Sequence, residues 1–171
     1  MIASRADLFA RLEELEINHS TVEHPPLFTV EESKRLRGNI PGAHTKNLFL
    51  KCKKGTLWLI VALEGTRIEL KRLHGPLGSG RLSFGRPELM REVLGIEPGS
   101  VTPFALINDT ANKVSVALDK AMLEADPLNF HPLENTATTA ISRDALLTFI
   151  ASCGHNVKII DFTRVGDENP E

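Results

Sequence analysis

Cysteine is scarce: Cys52 and Cys153 stand far apart with no Cys-x-x-Cys spacing. That excludes a disulfide-stapled scaffold and a zinc ribbon, and fits two reduced core thiols. No long apolar run is present either. The longest, residues 57–63, is far short of the roughly 20 residues a membrane helix needs, so no membrane partner is expected. The first eighteen residues lack the basic stretch, apolar stretch and cleavage site of a signal peptide and read as an acidic amphipathic helix, which leads to the expectation of a cytoplasmic protein. Four catalytic signatures are missing: the P-loop, GxSxG, HExxH, and GxGxxG opening a helix after a strand. None of the six histidines pairs with another at metal-ligand spacing, so neither a metal nor a cofactor is expected. No serine has a context that marks it as a nucleophile.

What is there suits one soluble domain. The chain has 171 residues, 42% apolar and 25% charged, enough to close a single core. Residues 1–163 are expected to form that domain and 164–171 a polar tail. Net charge is −2, yet residues 34–91 carry 13 Lys and Arg against three acids, while residues 1–33 sum to −5 and 92–171 to −7. Such a basic segment is either a solvated face or a surface for phosphates.

The punctuation predicts the elements. Ser4 caps a helix with Leu8, Leu12 and Leu15 on one face. A short strand over 20–24 ends at Pro25-Pro26, and Thr29 with Glu32 makes a capping box for a second helix that Gly38 closes. Residues 46–52 and 57–63 read as a hairpin around Lys53-Lys54-Gly55-Thr56. A helix over 67–74 ending at Gly75-Pro76, a strand over 81–84, and a helix over 87–94 with Gly95 behind it follow. Residues 104–107 and 113–118 read as a strand pair around Asn108-Asp109. Further strands are expected at 128–131, 136–141 and 156–162, with a helix between Ser142 and Gly154. Hairpins alternating with helices favour an α+β fold with a mixed, largely antiparallel sheet over a doubly wound parallel one.

Three stretches can carry chemistry. In the run 44–50, Lys46 and Asn47 enter an apolar strand; neighbouring residues point to opposite faces, so both cannot face inward without a bulge, and a solvent-facing lysine at a strand entrance is the plainer reading. The turn at Pro98-Gly99-Ser100 either offers N–H groups to an anion or is a tight connection. His131, held before Pro132, is either functional or a satisfied structural histidine.

Taken in order, Thr45-Lys46-Asn47-Leu48-Phe49-Leu50, Gly80-Arg81-Leu82-Ser83-Phe84, the segment 94–104 with Pro98-Gly99-Ser100-Val101-Thr102-Pro103, Asn108-Asp109, and Phe130-His131-Pro132-Leu133 with Asn135-Thr136 resemble the prolyl-tRNA editing family of YbaK-type proteins. The resemblance spans about residues 8–162 and is nearest to the free-standing branch that deacylates alanyl-tRNA(Pro). It implies a mixed sheet, partly closed like a barrel, and a cofactor-free hydrolase of aminoacyl esters acting on the tRNA(Pro) acceptor end beside the prolyl-tRNA synthetase. The family lysine maps onto Lys46 with Asn47 beside it, its glycine-containing loop onto Gly99 and Ser100, and the pocket histidine onto His131. Thr45, Ser83, Thr102 and Asn135 become expected substrate-binding residues. Two other readings stay open: a cysteinyl-tRNA(Pro) deacylase, and a non-catalytic module that binds the acceptor end or the synthetase.

Overall fold

Each helix end follows from its capping chemistry. In the computed structural model, which describes residues 2–26, 30–37 and 40–163, helix α1 (Arg5–Glu14) starts with a reciprocal box. Ser4 Oγ accepts the Asp7 N–H at 3.2 Å, and the Ser4 N–H donates to the Asp7 carboxylate at 2.8 Å. That hydrogen bond holds the Asp7 carboxyl below the usual carboxylate range. Leu8 and Leu12 are fully buried beneath it. Strand β1 (Ser20–Glu23) and helix α2 (Val30–Arg37) follow; the expected caps Thr29 and Gly38 lie outside the described residues, as does the tail 164–171.

Strands β2 (Ala43–Cys52) and β3 (Leu57–Leu63) form the expected hairpin, with β2 starting three residues early. Their antiparallel register runs unbroken from Thr45 opposite Leu63 to Lys51 opposite Leu57. Both faces are buried. Phe49, Leu57, Leu59 and Val61 enter the larger core, whereas Leu50, Cys52, Trp58 and Ile60 enter a second cluster on the other side. Continuous apolar runs are what a strand pair buried on both faces requires.

Beyond the hairpin come α3 (Leu70–Leu77), β4 (Leu82–Phe84), α4 (Pro87–Leu94), β5 (Val114–Asp119), β6 (Leu128–Phe130), β7 (Ala137–Ile141), α5 (Arg143–Ser152) and β8 (Val157–Ile160). The eight strands form one mixed sheet in the order β1-β7-β6-β2-β3-β5-β8, with β4 attached to β2. Four pairings are antiparallel and three, β2–β6, β3–β5 and β5–β8, are parallel. The α+β expectation holds. Strand β2 shares one edge between two partners: Ala43 and His44 pair with Leu128 and Asn129, while Leu50 to Cys52 pair with Phe84 to Leu82. A strand that changes neighbours midway splays the sheet, and the site described below lies at that point.

Two expectations are corrected. Residues 104–107 are not a strand: Pro103–Asn108 is a 3-10 turn, with Thr102 Oγ1 accepting the Phe104 N–H at 3.2 Å. Pro103 has no ladder donor, and the Asp109 carboxylate closes the turn by accepting the N–H groups of Lys113 and Val114. Strand β5 therefore pairs with β3 and β8 instead. The third helix begins at Leu70, not 67, and runs through Pro76 to a left-handed Gly78 at φ +65°. Residues 64–69 are taken by an irregular connection, so the helix starts and stops later. The final strand and the strand at 128 are also shorter than expected; His131 stands one residue beyond β6.

Candidate functional site

Strand alternation sorts the polar residues of β2. Thr45 and Asn47 lie on the Phe49 face, and His44 and Lys46 on the Leu50 face, because the register with β3 contains no bulge. Lys46 and Asn47 therefore point to opposite sides. In the parallel pairing with β6, His44 stands opposite Asn129. Two residues further on come Lys46, still in β2 and on the His44 face, and His131, just past the end of β6. On the next strand, Thr138 of β7 hydrogen-bonds with His24 Nε2 at 2.9 Å, and the His24 and His131 rings stand 6.3 Å apart. Thr45 Oγ1 donates to the Asn129 C=O at 2.7 Å and ties β2 to β6.

The hydrogen bonds fix several chemical states on this face. His131 Nδ1 lies 2.9 Å from the Ala137 C=O; a carbonyl can only accept, so Nδ1 carries the proton and, in the neutral ring, Nε2 is an acceptor. Burial pushes the His131 pKa below the ordinary histidine value; the Ala137 carbonyl opposes that and His24 reinforces it. The Lys46 ammonium donates to the Thr66 C=O. Asn129 Nδ2 donates to the C=O groups of Pro41 and Ala43 at 3.0 and 3.1 Å, which orients its amide and pins the approach to β2. Its Oδ1, His44 Nε2 and, on the opposite face, Asn47 Oδ1 are buried without a hydrogen-bond partner among the described residues. Buried polar atoms left this way cost about 1–3 kcal/mol each unless something else meets them.

Two cavities have candidate residues or their neighbours in their walls. One of about 710 Å³ is lined by His44, Thr66, Arg67, Asp119 and Phe162 among others. The second, about 570 Å³, is lined by Gly99, Ser100 and Asn135, with Ile96 and Leu133 as apolar wall. Gly99 is there for space: a Cβ would stand 3.2 Å from Asn135 Nδ2. The structure thus brings Gly99, Ser100 and Asn135 together, and sets Lys46 and His131 each two residues past the paired His44 and Asn129. The segment 131–136 leads from the second group to the wall of the first. Thr45 and the fully buried Thr102 have their hydroxyls committed to the fold. Ser83 lies at the other end of β2, exposed opposite Lys51, and lines neither cavity. Sequence reasoning passed over His44 and Asn129; each stands two residues before a chosen residue, the spacing that shares a strand face. Elsewhere, a fully buried His155 meets Asp109 at 2.8 Å and ties the end of α5 to the turn before β5, away from both cavities.

This arrangement presents a cation, a neutral imidazole and a glycine turn without a metal-type cluster among the described residues. A sequence model for the aminoacyl-tRNA editing domain matches residues 24–149. The chain belongs to that family. Relatives of the editing family similar to this chain include the bovine (Bos taurus) prolyl-tRNA synthetase associated domain-containing protein 1, 41% identical over 94% of this chain and 96% of its own length. The prolyl-tRNA editing protein ProX of Acetoanaerobium sticklandii is 34% identical over 90% and 94%. Among solved structures, one described as a candidate trans-editing enzyme for prolyl-tRNA synthetase superposes with a TM-score of 0.69 at 20% identity, covering 94% of this chain and 98% of that one. At that identity the likeness speaks for the editing-domain fold alone. No helix among the described residues is long and apolar enough to cross a membrane.

Proposed function

We propose that the protein hydrolyses the aminoacyl ester of alanyl-tRNA(Pro), a trans-editing step beside the prolyl-tRNA synthetase. The observation that carries this reading is the parallel β2–β6 register, which pairs His44 with Asn129, two residues before Lys46 and the tautomer-fixed His131, with residues 131–136 running on to the cavity at the Gly99 turn. An aminoacyl ester is already activated, so its cleavage needs positioning and charge stabilisation more than a strong nucleophile. Water adds to the carbonyl carbon and an oxyanion forms; collapse breaks the bond to the ribose oxygen, which leaves as a hydroxyl after taking a proton, and alanine is released. Lys46 supplies the fixed positive charge for the carbonyl oxygen or the terminal phosphate. Ser100 commits its N–H to the Glu97 C=O at 2.9 Å, so the oxyanion donor of this turn is the Gly99 N–H. A ribose hydroxyl of the substrate relays the proton.

His131 forms a wall of the amino-acid pocket, and its Nε2 is an acceptor suited to the substrate's α-ammonium. A synthetase pocket built for proline rejects a smaller side chain by only about 1–3 kcal/mol, so a second, smaller sieve is needed. Asn135 bounds the same region, whereas Thr45, Asn47 and Thr102 support it from the core side. The acceptor stem is met by exposed cations of β2, its turn and β4: Lys51, Lys53, Lys54, Arg81 and Arg86. Lys53 stands opposite Arg81, its N–H donating to the Arg81 C=O at 3.0 Å, a like-charge pairing that favours an anionic guest. Deacylation assays on alanyl-, cysteinyl- and prolyl-tRNA(Pro) test the proposal. Release of alanine alone supports it; preferential release of cysteine, or tight tRNA binding with no hydrolysis, sinks it.

A further inference from the structure

The partner of Lys46 is itself held in place. Thr66 lies in the irregular connection between β3 and α3, which lines the larger cavity. Asp119, the last residue of β5 and almost fully buried, gathers that connection. Its Oδ2 accepts the Leu63 N–H at 3.1 Å and the Thr66 hydroxyl at 2.5 Å, and its Oδ1 accepts the Ala121 N–H at 3.0 Å. A buried carboxylate is retained only when such donors surround it. Thr66 is therefore fixed at two points, its hydroxyl on the carboxylate and its carbonyl on the Lys46 ammonium. Alternation agrees: Asp119 shares a face with Ala117, which packs in the same cluster as Leu50 and Ile60, and this is the face that bears Lys46.

We infer that Thr66 and Asp119 are a positioning pair that aims the Lys46 ammonium at the reacting ester. The inference rests on the deacylation reading and on Lys46 as its cation. A lysine is a point charge on a flexible four-carbon stem, so only an external contact defines where its charge sits. Thr66 supplies that contact, and Asp119 keeps Thr66 from following the lysine's motion. Misplacement of a catalytic group by about 1 Å can cost on the order of 10²-fold in rate. Neither Thr66 nor Asp119 touches the substrate in this scheme.

The test is a double-mutant cycle in the full chain. Thr66→Val keeps the β-branched shape and removes the hydroxyl; Thr66→Ser keeps the hydroxyl. Single-turnover hydrolysis of alanyl-tRNA(Pro) is expected to fall at least about tenfold in Thr66→Val and to stay within about twofold of wild type in Thr66→Ser, with tRNA affinity unchanged in both. Against a Lys46→Ala background, Thr66→Val should cost nothing further. An equal loss in both backgrounds, or none in wild type, overturns the positioning role while leaving the deacylase reading intact. A Lys46→Ala enzyme of near-wild-type rate removes Lys46 from the mechanism and the inference with it. Acylation of Lys46 by an amine-reactive ester, read by peptide mass spectrometry, gives a check free of activity: Thr66→Val should label several-fold faster, and unchanged labelling argues against the pair.

Discussion

Replacing Lys46 by alanine separates the fold from the chemistry. In the folded protein the ammonium donates to the Thr66 carbonyl at a half-buried site in β2, its one hydrogen bond among the described residues. Hydrogen bonds to charged groups contribute about 1.5–3 kcal/mol when buried and less where water can replace the missing partner. The Thr66 carbonyl borders an open cavity, so water reaches it, and the expected loss of stability is about 1 kcal/mol. Catalysis should respond far more. A preorganised group that stabilises a developing oxyanion is worth about 2.7–4 kcal/mol, or 10²–10³ in rate. Single-turnover hydrolysis of alanyl-tRNA(Pro) by folded Lys46→Ala measures that difference directly, and Lys46→Arg should rescue poorly because a planar fork does not reproduce a compact ammonium. A rate within about threefold of wild type, less than 1 kcal/mol of transition-state stabilisation, would refute the assignment.

Four further outcomes are expected. His131→Ala should change the ratio of alanine to proline released while keeping the acid limb of the pH–rate profile; a large loss of activity together with the disappearance of that limb would make His131 the general base. Because burial lowers the His131 pKa in the folded state, the unfolded chain binds more protons between that lowered value and the ordinary ~6.5; stability should rise with pH across this window and level off on either side of it, and His131→Gln should flatten the slope in urea unfolding at pH 5 to 7. Gly85→Ala drives a Cβ into the ring of the buried Phe49, well inside van der Waals separation, and should cost about 1–3 kcal/mol, visible as a thermal midpoint several degrees lower; no change would mean that Phe49 can move aside. Charge reversal at Lys51, Lys53 and Arg81 should weaken tRNA binding and reduce its salt slope by about one unit for each phosphate no longer neutralised, and an equal effect at Lys113 or Lys158 would defeat the idea of a localised surface.

Local chemistry was legible in the sequence wherever one residue decides an outcome. Ser4 and Ser142 start helices because their hydroxyls meet orphan N–H groups, and Gly95 ends one because it accepts a left-handed φ. Pairing partners were not legible. The segment 104–107 has the apolar content of a strand, but Pro103 and the side-chain carboxylate of Asp109 close it as a turn, and nothing in its own residues says that β5 will join β3 in parallel. The start of α3 failed for a related reason: Thr66 belongs to Asp119, which is 53 positions away. Long-range side-chain clamps of this kind outrank helix propensity and leave no periodic trace.

The same distinction explains the site. Motif matching selects residues one at a time and picked out Lys46, Gly99 and His131, whereas the proposed site is read from a sheet face, and a face is defined by register. His44 and Asn129 become visible only when β2 and β6 are laid side by side, where they prove to be paired positions carrying buried, unpartnered polar atoms. Ser83, chosen from the same kind of motif, falls on the other half of β2 because the strand changes partners from β6 to β4 along its length. That change of partner keeps the polar half-strand beside His131 and gives the apolar half to the core. On the proposed reading, a ten-residue strand serves the reaction at one end and stability at the other, with Asn129 and Thr45 holding the boundary between them.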